Sequence, residues 1–133
     1  MVDNNEFNKG EIYIKNALNL YEKLNTLSGR AIALSLMALI NVKKQEYDVA
    51  RQQLKAAEKY GSIQSKAFEL GVLSKVQYLI RLEMSVNQKL NASFASSLKH
   101  DLDYYFDKTL KYFAATNEVY ESKCIIEINN KTL

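Results

Sequence analysis

The chain contains no proline, and only four of its 133 residues are glycine. These two residue types interrupt helices and mark tight turns more strongly than any others. Their scarcity permits long helices without breaks and leaves little of the glycine-dependent turn chemistry that β-hairpins use. The sequence therefore favours an all-α fold.

Cysteine and histidine are nearly absent, with Cys124 and His100 the sole examples. One cysteine excludes an intramolecular disulfide, and its neighbour Ile125 suggests a core position. His100, Asp103 and Asp107 are spaced i, i+3, i+7, which would place metal ligands or an acid–base pair on one helix face. The same spacing suits a solvated face whose aspartates pair with lysines.

The sequence also lacks the short motifs that usually carry chemistry. There is no glycine-rich phosphate loop, no Gly-x-Ser-x-Gly elbow and no pair of cysteines for a metal. From these absences we expect no catalytic activity, no cofactor and no bound metal.

Long apolar runs and dense charge are missing as well. No apolar run approaches the roughly 20 residues that a membrane span needs, and the first residues lack the apolar centre of a signal peptide. We therefore expect a cytoplasmic protein without membrane contact, flexible over residues 1–8.

The net charge is only +3, without a dense basic run, which argues against nucleic acid as the partner.

What the sequence does contain is helical periodicity along nearly its whole length. Apolar residues three or four positions apart predict about six helices in one domain over residues 9–131, at about 9–25, 29–44, 46–60, 62–85, 93–116 and 118–129. Ser28 and Ser93 are candidate N-caps, and Gly61 is a candidate C-terminal cap.

The stretch from Ala31 to Tyr60 carries this spacing twice. Its apolar and small residues recur first at Leu34, Met37, Ala38 and Leu39, and then at Tyr47, Ala50, Leu54 and Ala57. The segment 43–46 separates the two runs and is too polar to be buried. Two amphipathic segments joined by so short a break predict an antiparallel helical hairpin.

Several of these residues fall at the spacing of a known repeat, namely Leu34, Met37, Ala38, Asn41, Tyr47, Ala50, Leu54 and Ala57. Their pattern resembles the tetratricopeptide repeat. Leu70-Gly71 repeats one element of it 33 residues after Met37-Ala38, and Thr109, Tyr112-Phe113 and Thr116 are similar to a later second helix. The closing proline is absent, and Gln45 stands where glycine is usual between the helices. The resemblance implies hairpins stacked as a short right-handed solenoid; a compact helical bundle is the alternative.

The resemblance also implies a function, because this family binds peptides or proteins on the face made by the first helices of its repeats. The chain would then be a non-catalytic adaptor or regulatory module that binds a protein or peptide. The positions that match that face are Ile32, Ser35, Leu39, Val42 and Lys43, and then Ser65, Phe68, Val72, Lys75 and Val76.

A second candidate surface is aromatic. Tyr104 and Tyr112 project away from the apolar face that Tyr105, Phe106 and Phe113 share, which makes them candidates for an interface. The alternative is that they cover the end of a hydrophobic seam. Two alternatives remain open at this point. The chain could be an oligomerising structural protein, for example a homodimer, or a small basic bundle that binds nucleic acid. The cations of the latter would be Lys43, Lys44, Arg51, Lys55 and Lys59.

Overall fold

The computed structural model describes residues 29–64, 67–116 and 119–132, together with six helical positions at Lys9, Ile12, Tyr13, Lys15, Asn16 and Asn19. Residues 1–8 and most of the predicted helix at about 9–25 lie outside this description. No β-strand occurs in the described part of the chain, so the predicted all-α fold is confirmed.

Six helices have defined bounds in these ranges: α1 (Arg30–Lys43), α2 (Tyr47–Gln64), α3 (Ala67–Met84), α4 (Gln88–Phe94), α5 (Leu102–Ala115) and α6 (Val119–Thr132). They divide between two compact units, Met1–Gln64 and Ser65–Leu133. The single domain and the solenoid stay predictions.

In the first unit, α1 packs along α2 as the expected helical hairpin. Ala38, Ala50 and Ala57 are fully buried, and Leu54 is nearly so. Small side chains let two helix backbones approach closely, and Leu54 supplies the larger apolar contact. A polar tie adds to this packing, because Asn41 Nδ2 donates a hydrogen bond of 2.7 Å to the Oε1 atom of Gln53 on α2.

The turn between α1 and α2 closes with the backbone bonds of a Schellman motif. The N–H of Gln45 donates to the Val42 carbonyl at 3.1 Å, and the N–H of Glu46 donates to the Asn41 carbonyl at 2.8 Å. This pattern needs a left-handed residue, and Gln45 accordingly has φ 65. The backbone at Gln45 thus takes the conformation that glycine favours.

The ends of this hairpin differ from the sequence prediction. Gly29 occupies the N-cap position of α1 with φ 86 and makes no side-chain cap bond, while the predicted cap Ser28 lies outside the described residues. The prediction that Gly61 ends α2 is wrong, since the helix continues to Gln64. Gly61 is buried on the face of Leu54 and Ala57. One helical glycine costs only about 1 kcal/mol relative to alanine, so it does not by itself end a packed helix.

In the second unit, α3 pairs mainly with α5, and the short α4 intervenes in the sequence between them. Gly71 allows this pair to approach closely: a Cβ atom placed on Gly71 would lie 2.7 Å from the Phe113 ring. Phe113 and Thr109 are fully buried on α5. The hydroxyl of Thr109 donates to the Tyr105 carbonyl at 2.7 Å, which satisfies its polar atom within the helix.

The predicted fifth helix, over about 93–116, starts before the observed helix α5, which begins at Leu102. Where the sequence predicts one helix over 93–116, α4 and α5 are separate, and the predicted cap Ser93 lies inside α4. The Asn87 side chain accepts from the Leu90 N–H at 3.1 Å, and the Asp101 side chain accepts from the Tyr104 N–H at 2.9 Å. Each cap satisfies an N–H that a helix start leaves without an intrahelical partner, so each fixes a separate beginning.

The last helix, α6, extends past the predicted end at residue 129. Ile125 is fully buried, and its neighbour Cys124 is half-buried. Tyr78 on α3 is also fully buried and donates a hydrogen bond of 3.0 Å to Asn129 Oδ1. The polar terminal stretch is therefore tied to the core by a buried tyrosine hydroxyl.

Candidate functional site

The predicted first-helix contacts of the first unit fall into two groups. Ile32 and Leu39 are partly exposed, and Lys43 is exposed. Ser35 and Val42 are buried, and the Ser35 hydroxyl donates to the Ala31 carbonyl at 2.6 Å. The two buried residues offer a partner no surface, whereas a binding role for the other three stays a prediction.

Of the corresponding residues of the second unit, Ser65 lies outside the described residues, and Val76 is buried and offers a partner no surface. The other three form one stripe on α3. Phe68, Val72 and Lys75 are spaced i, i+4, i+7, which aligns them along one helix face; we call them the Phe68 stripe. Phe68 is 41% exposed. Its ring also packs against the buried Phe113 ring, with centroids 6.3 Å apart and planes at 52°. The stripe therefore offers an exposed aromatic ring that the core holds in place.

The two tyrosines singled out from the sequence lie together on the outward side of α5. They line a surface depression of about 370 Å³ with Asp107, Lys108 and Lys111, and we call these five residues the Tyr104–Tyr112 face. Tyr104 is 41% exposed. Tyr112 is half-buried, because it lies beside the core residues Tyr105, Thr109 and Phe113 on the adjoining side of the helix.

Contacts with neighbouring side chains hold the Tyr104 ring. The His100 ring stacks on it with centroids 3.8 Å apart and planes at 23°, and the Tyr105 ring meets it edge-on at 5.1 Å. Lys108 Nζ lies 5.7 Å from the ring centroid, which is within the range of a cation–π interaction. An aromatic side chain fixed in this way loses little conformational entropy when a partner binds it.

The predicted helical face of His100, Asp103 and Asp107 does not form, because His100 precedes α5 and Asp101 caps it. The His100 backbone carbonyl instead accepts from Arg81 Nε at 3.1 Å. Within the described ranges, no group of three or more His, Cys, Asp or Glu side chains could hold a metal ion. The histidine thus contributes a ring contact and a backbone acceptor at the base of the Tyr104–Tyr112 face.

The cations considered for nucleic acid lie on the first unit. Lys43, Lys44, Lys55 and Lys59 are exposed, whereas Arg51 pairs with Asp48 at 3.3 Å. Arg51 is the first of the three cations spaced i, i+4, i+8 with Lys55 and Lys59, and Asp48 offsets part of its charge. None of the helices in the described part of the chain is long and apolar enough to span a membrane.

Sequence reasoning identifies the two tyrosines of the α5 surface but misses what lies between them. Lys108 and Lys111 follow Tyr104 at i+4 and i+7, a spacing that already places them on its face. From sequence alone, both lysines are interpreted as local partners of the neighbouring aspartates. The i+4 spacing is the signal that could have suggested the contact of Lys108 with the Tyr104 ring.

Comparison with protein-family models, with curated proteins and with solved structures gives no match to this chain.

Proposed function

We propose that this chain is a non-catalytic module that binds a protein or peptide partner, built on hairpins that resemble tetratricopeptide repeats. The burial of equivalent positions in the two hairpins supports the scaffold. Ala38 of the first hairpin corresponds to Gly71 of the second, 33 residues later, and both are buried at a helix crossing. Leu54 on α2 corresponds to Phe113 on α5, and each is a large buried residue.

The observation that carries the binding role is the Phe68 stripe. An exposed aromatic ring that rests on a buried ring combines large contact area with a fixed position, two properties of residues that dominate interfaces. Val72 extends the apolar surface by one helical turn, and Lys75 adds a cation one turn further. Such a stripe fits a peptide with an apolar anchor for Phe68 and an acidic residue near Lys75.

A peptide-display selection against the intact chain tests this proposal without a known partner. Enriched peptides are synthesised, and their affinity is measured by fluorescence anisotropy for the wild type and for Phe68→Ser. We expect Phe68→Ser to weaken binding by about tenfold or more, because an aromatic anchor at an interface centre contributes at least about 1.4 kcal/mol. We expect the enriched peptides to share an apolar residue followed by an acidic one.

Val86→Ser is the matched control. Val86 is an apolar residue of the same unit, 81% exposed in the turn after α3 and outside the stripe. It should leave the affinity unchanged, and both variants should keep the wild-type helical circular dichroism. The proposal fails if no peptide is enriched, or if Phe68→Ser binds every enriched peptide as tightly as Val86→Ser does.

A further inference from the structure

Four residues of the Tyr104–Tyr112 face, namely Tyr104, Asp107, Lys111 and Tyr112, form a pattern that is complementary to itself when reversed. A tyrosine stands at each end, and between them Asp107 precedes Lys111 by one helical turn. A helix rises about 1.5 Å per residue, so the tyrosines are about 12 Å apart along the axis and the opposite charges about 6 Å apart. The midpoint of the tyrosines is position 108, and the midpoint of the charged pair is position 109.

Because these midpoints nearly coincide along the helix axis, two copies of α5 packed antiparallel bring the tyrosines and the Asp107–Lys111 pairs close to axial register, while Lys108 of each copy lies near the two-fold axis. Tyr104 then faces Tyr112 of the second copy, and Asp107 faces Lys111 of the second copy, each within about 1.5 Å of ideal alignment. A parallel arrangement would instead set Asp107 against Asp107 and Lys111 against Lys111. Charge complementarity therefore selects the antiparallel arrangement, in which a two-fold axis forms every contact twice.

We propose that the Tyr104–Tyr112 face is the site where a second copy of this chain docks, giving an antiparallel two-fold dimer through α5. The depression of about 370 Å³ between the tyrosines receives side chains of the other copy. Lys108 contacts its own Tyr104 ring, which leaves Lys111 as the cation that faces Asp107 of the second copy. The stacked His100 ring holds Tyr104 in place for this contact.

Sedimentation equilibrium of the intact chain tests the dimer, over protein concentrations from about 1 μM to about 500 μM, since dimerisation depends on protomer concentration. We expect the wild type to pass from monomer to dimer within this range. Asp107→Lys and Lys111→Asp should each raise the dimer dissociation constant by about tenfold or more, because each places like charges opposite one another twice.

Mixing the two variants isolates the contact between copies. In the heterodimer, the lysine introduced by Asp107→Lys faces the aspartate introduced by Lys111→Asp, and the unchanged Lys111 of the first variant faces the unchanged Asp107 of the second. We therefore expect an equimolar mixture to regain the wild-type dissociation constant, although neither chain regains its internal i, i+4 pair. A chain that carries both Asp107→Lys and Lys111→Asp should also dimerise by itself.

Glu127→Lys and Lys131→Asp supply a matched control, because Glu127 and Lys131 are an exposed acidic and an exposed basic residue at i, i+4 on α6. Neither should change the dissociation constant. The inference is overturned if the wild type stays monomeric up to the highest concentration, if the control variants weaken the dimer as much, or if mixing fails to restore it. The dimer inference does not rest on the proposed function. If the chain is monomeric but still binds peptides through Phe68, the dimer inference fails and the peptide-binding proposal stands.

Discussion

Gln45 has a backbone conformation that is unfavourable for any residue with a Cβ atom. Its φ of 65 is imposed by the two backbone hydrogen bonds that close α1, which require a left-handed residue at this position. A left-handed conformation costs an ordinary L-residue about 1–2 kcal/mol. The side chain of Gln45 is exposed, so no packing offsets this cost.

We therefore expect Gln45→Gly to stabilise the chain by about 0.5–1 kcal/mol, since the lost strain exceeds the entropy that glycine adds to the unfolded state. Urea unfolding followed by circular dichroism measures the change. Glu46→Gly, at the exposed neighbouring residue, should destabilise the chain or leave its stability unchanged. A lower stability for Gln45→Gly than for Glu46→Gly would contradict this account of the turn.

Gly71 is the residue on which the α3–α5 contact depends most directly. A methyl group at this position would lie 2.7 Å from two Phe113 ring atoms, so the ring or a helix would have to move. We expect Gly71→Ala to destabilise the chain by about 1–3 kcal/mol, although alanine is the better helix former.

Phe113→Leu provides the partner for a double-mutant cycle on this contact. The smaller side chain leaves room at Gly71, so Gly71→Ala should cost less in the Phe113→Leu background than in the wild type. Thermal unfolding of the four proteins gives the coupling. Equal costs in both backgrounds would show that the ring does not limit the approach of the helices.

At the scale of the elements, α4 is the feature that helical periodicity does not reveal. Its seven residues span about two turns, and most of the seven are polar, for example Lys89 and Asn91. Two turns are too few to distinguish a helical period from a loop of similar composition. Asparagine is common in loops, so the preceding Asn87 does not by itself indicate a helix. Its side chain nevertheless forms the N-cap of α4.

Asn87→Ala should consequently destabilise the chain by about 1 kcal/mol, because the Leu90 N–H loses its acceptor. Denaturant unfolding gives the loss, and hydrogen exchange should show faster exchange at the start of α4. Asn91→Ala changes an exposed residue of the same type within α4 and should have a smaller effect. Equal effects of the two substitutions would argue against the cap.

At the scale of the whole molecule, the net charge of +3 is small, and from it we predict that the chain does not bind nucleic acid. We expect no binding to labelled single- or double-stranded DNA tighter than about 100 μM at physiological salt. Fluorescence anisotropy at two salt concentrations measures this. Micromolar binding that weakens steeply with salt and disappears in the double variant Lys55→Glu, Lys59→Glu would instead support the nucleic-acid alternative.

Much of the architecture could be predicted from the sequence, because apolar spacing and small residues determine which helix faces meet. The Ala31–Tyr60 hairpin and the buried Phe113 follow from spacing alone. The continuation of α2 past Gly61 could not be predicted. A glycine at this position can end a helix or continue it, and the burial of Gly61 in the folded chain favours continuation. Likewise, the spacing of Tyr104 and Tyr112 places them on one face, but their contacts depend on where the chain before α5 turns.

The stretch 85–101 has a further consequence, for the order in which the hairpins assemble. α1 and α2 are joined by three residues, whereas α3 must meet α5 across this longer connection. Each doubling of a loop adds about 0.6 kcal/mol of closure entropy, and folding slows as contacts become less local. The hydrogen bond from Tyr78 to Asn129 joins residues 51 positions apart, so we expect it to form later still.

Pulse-labelled hydrogen exchange during refolding measures this order. We expect amides of α1 and α2 to be protected before those of α3 and α5, and simultaneous protection would exclude a difference between the hairpins. From the longer connection we thus expect the α1–α2 pair to form before the α3–α5 pair.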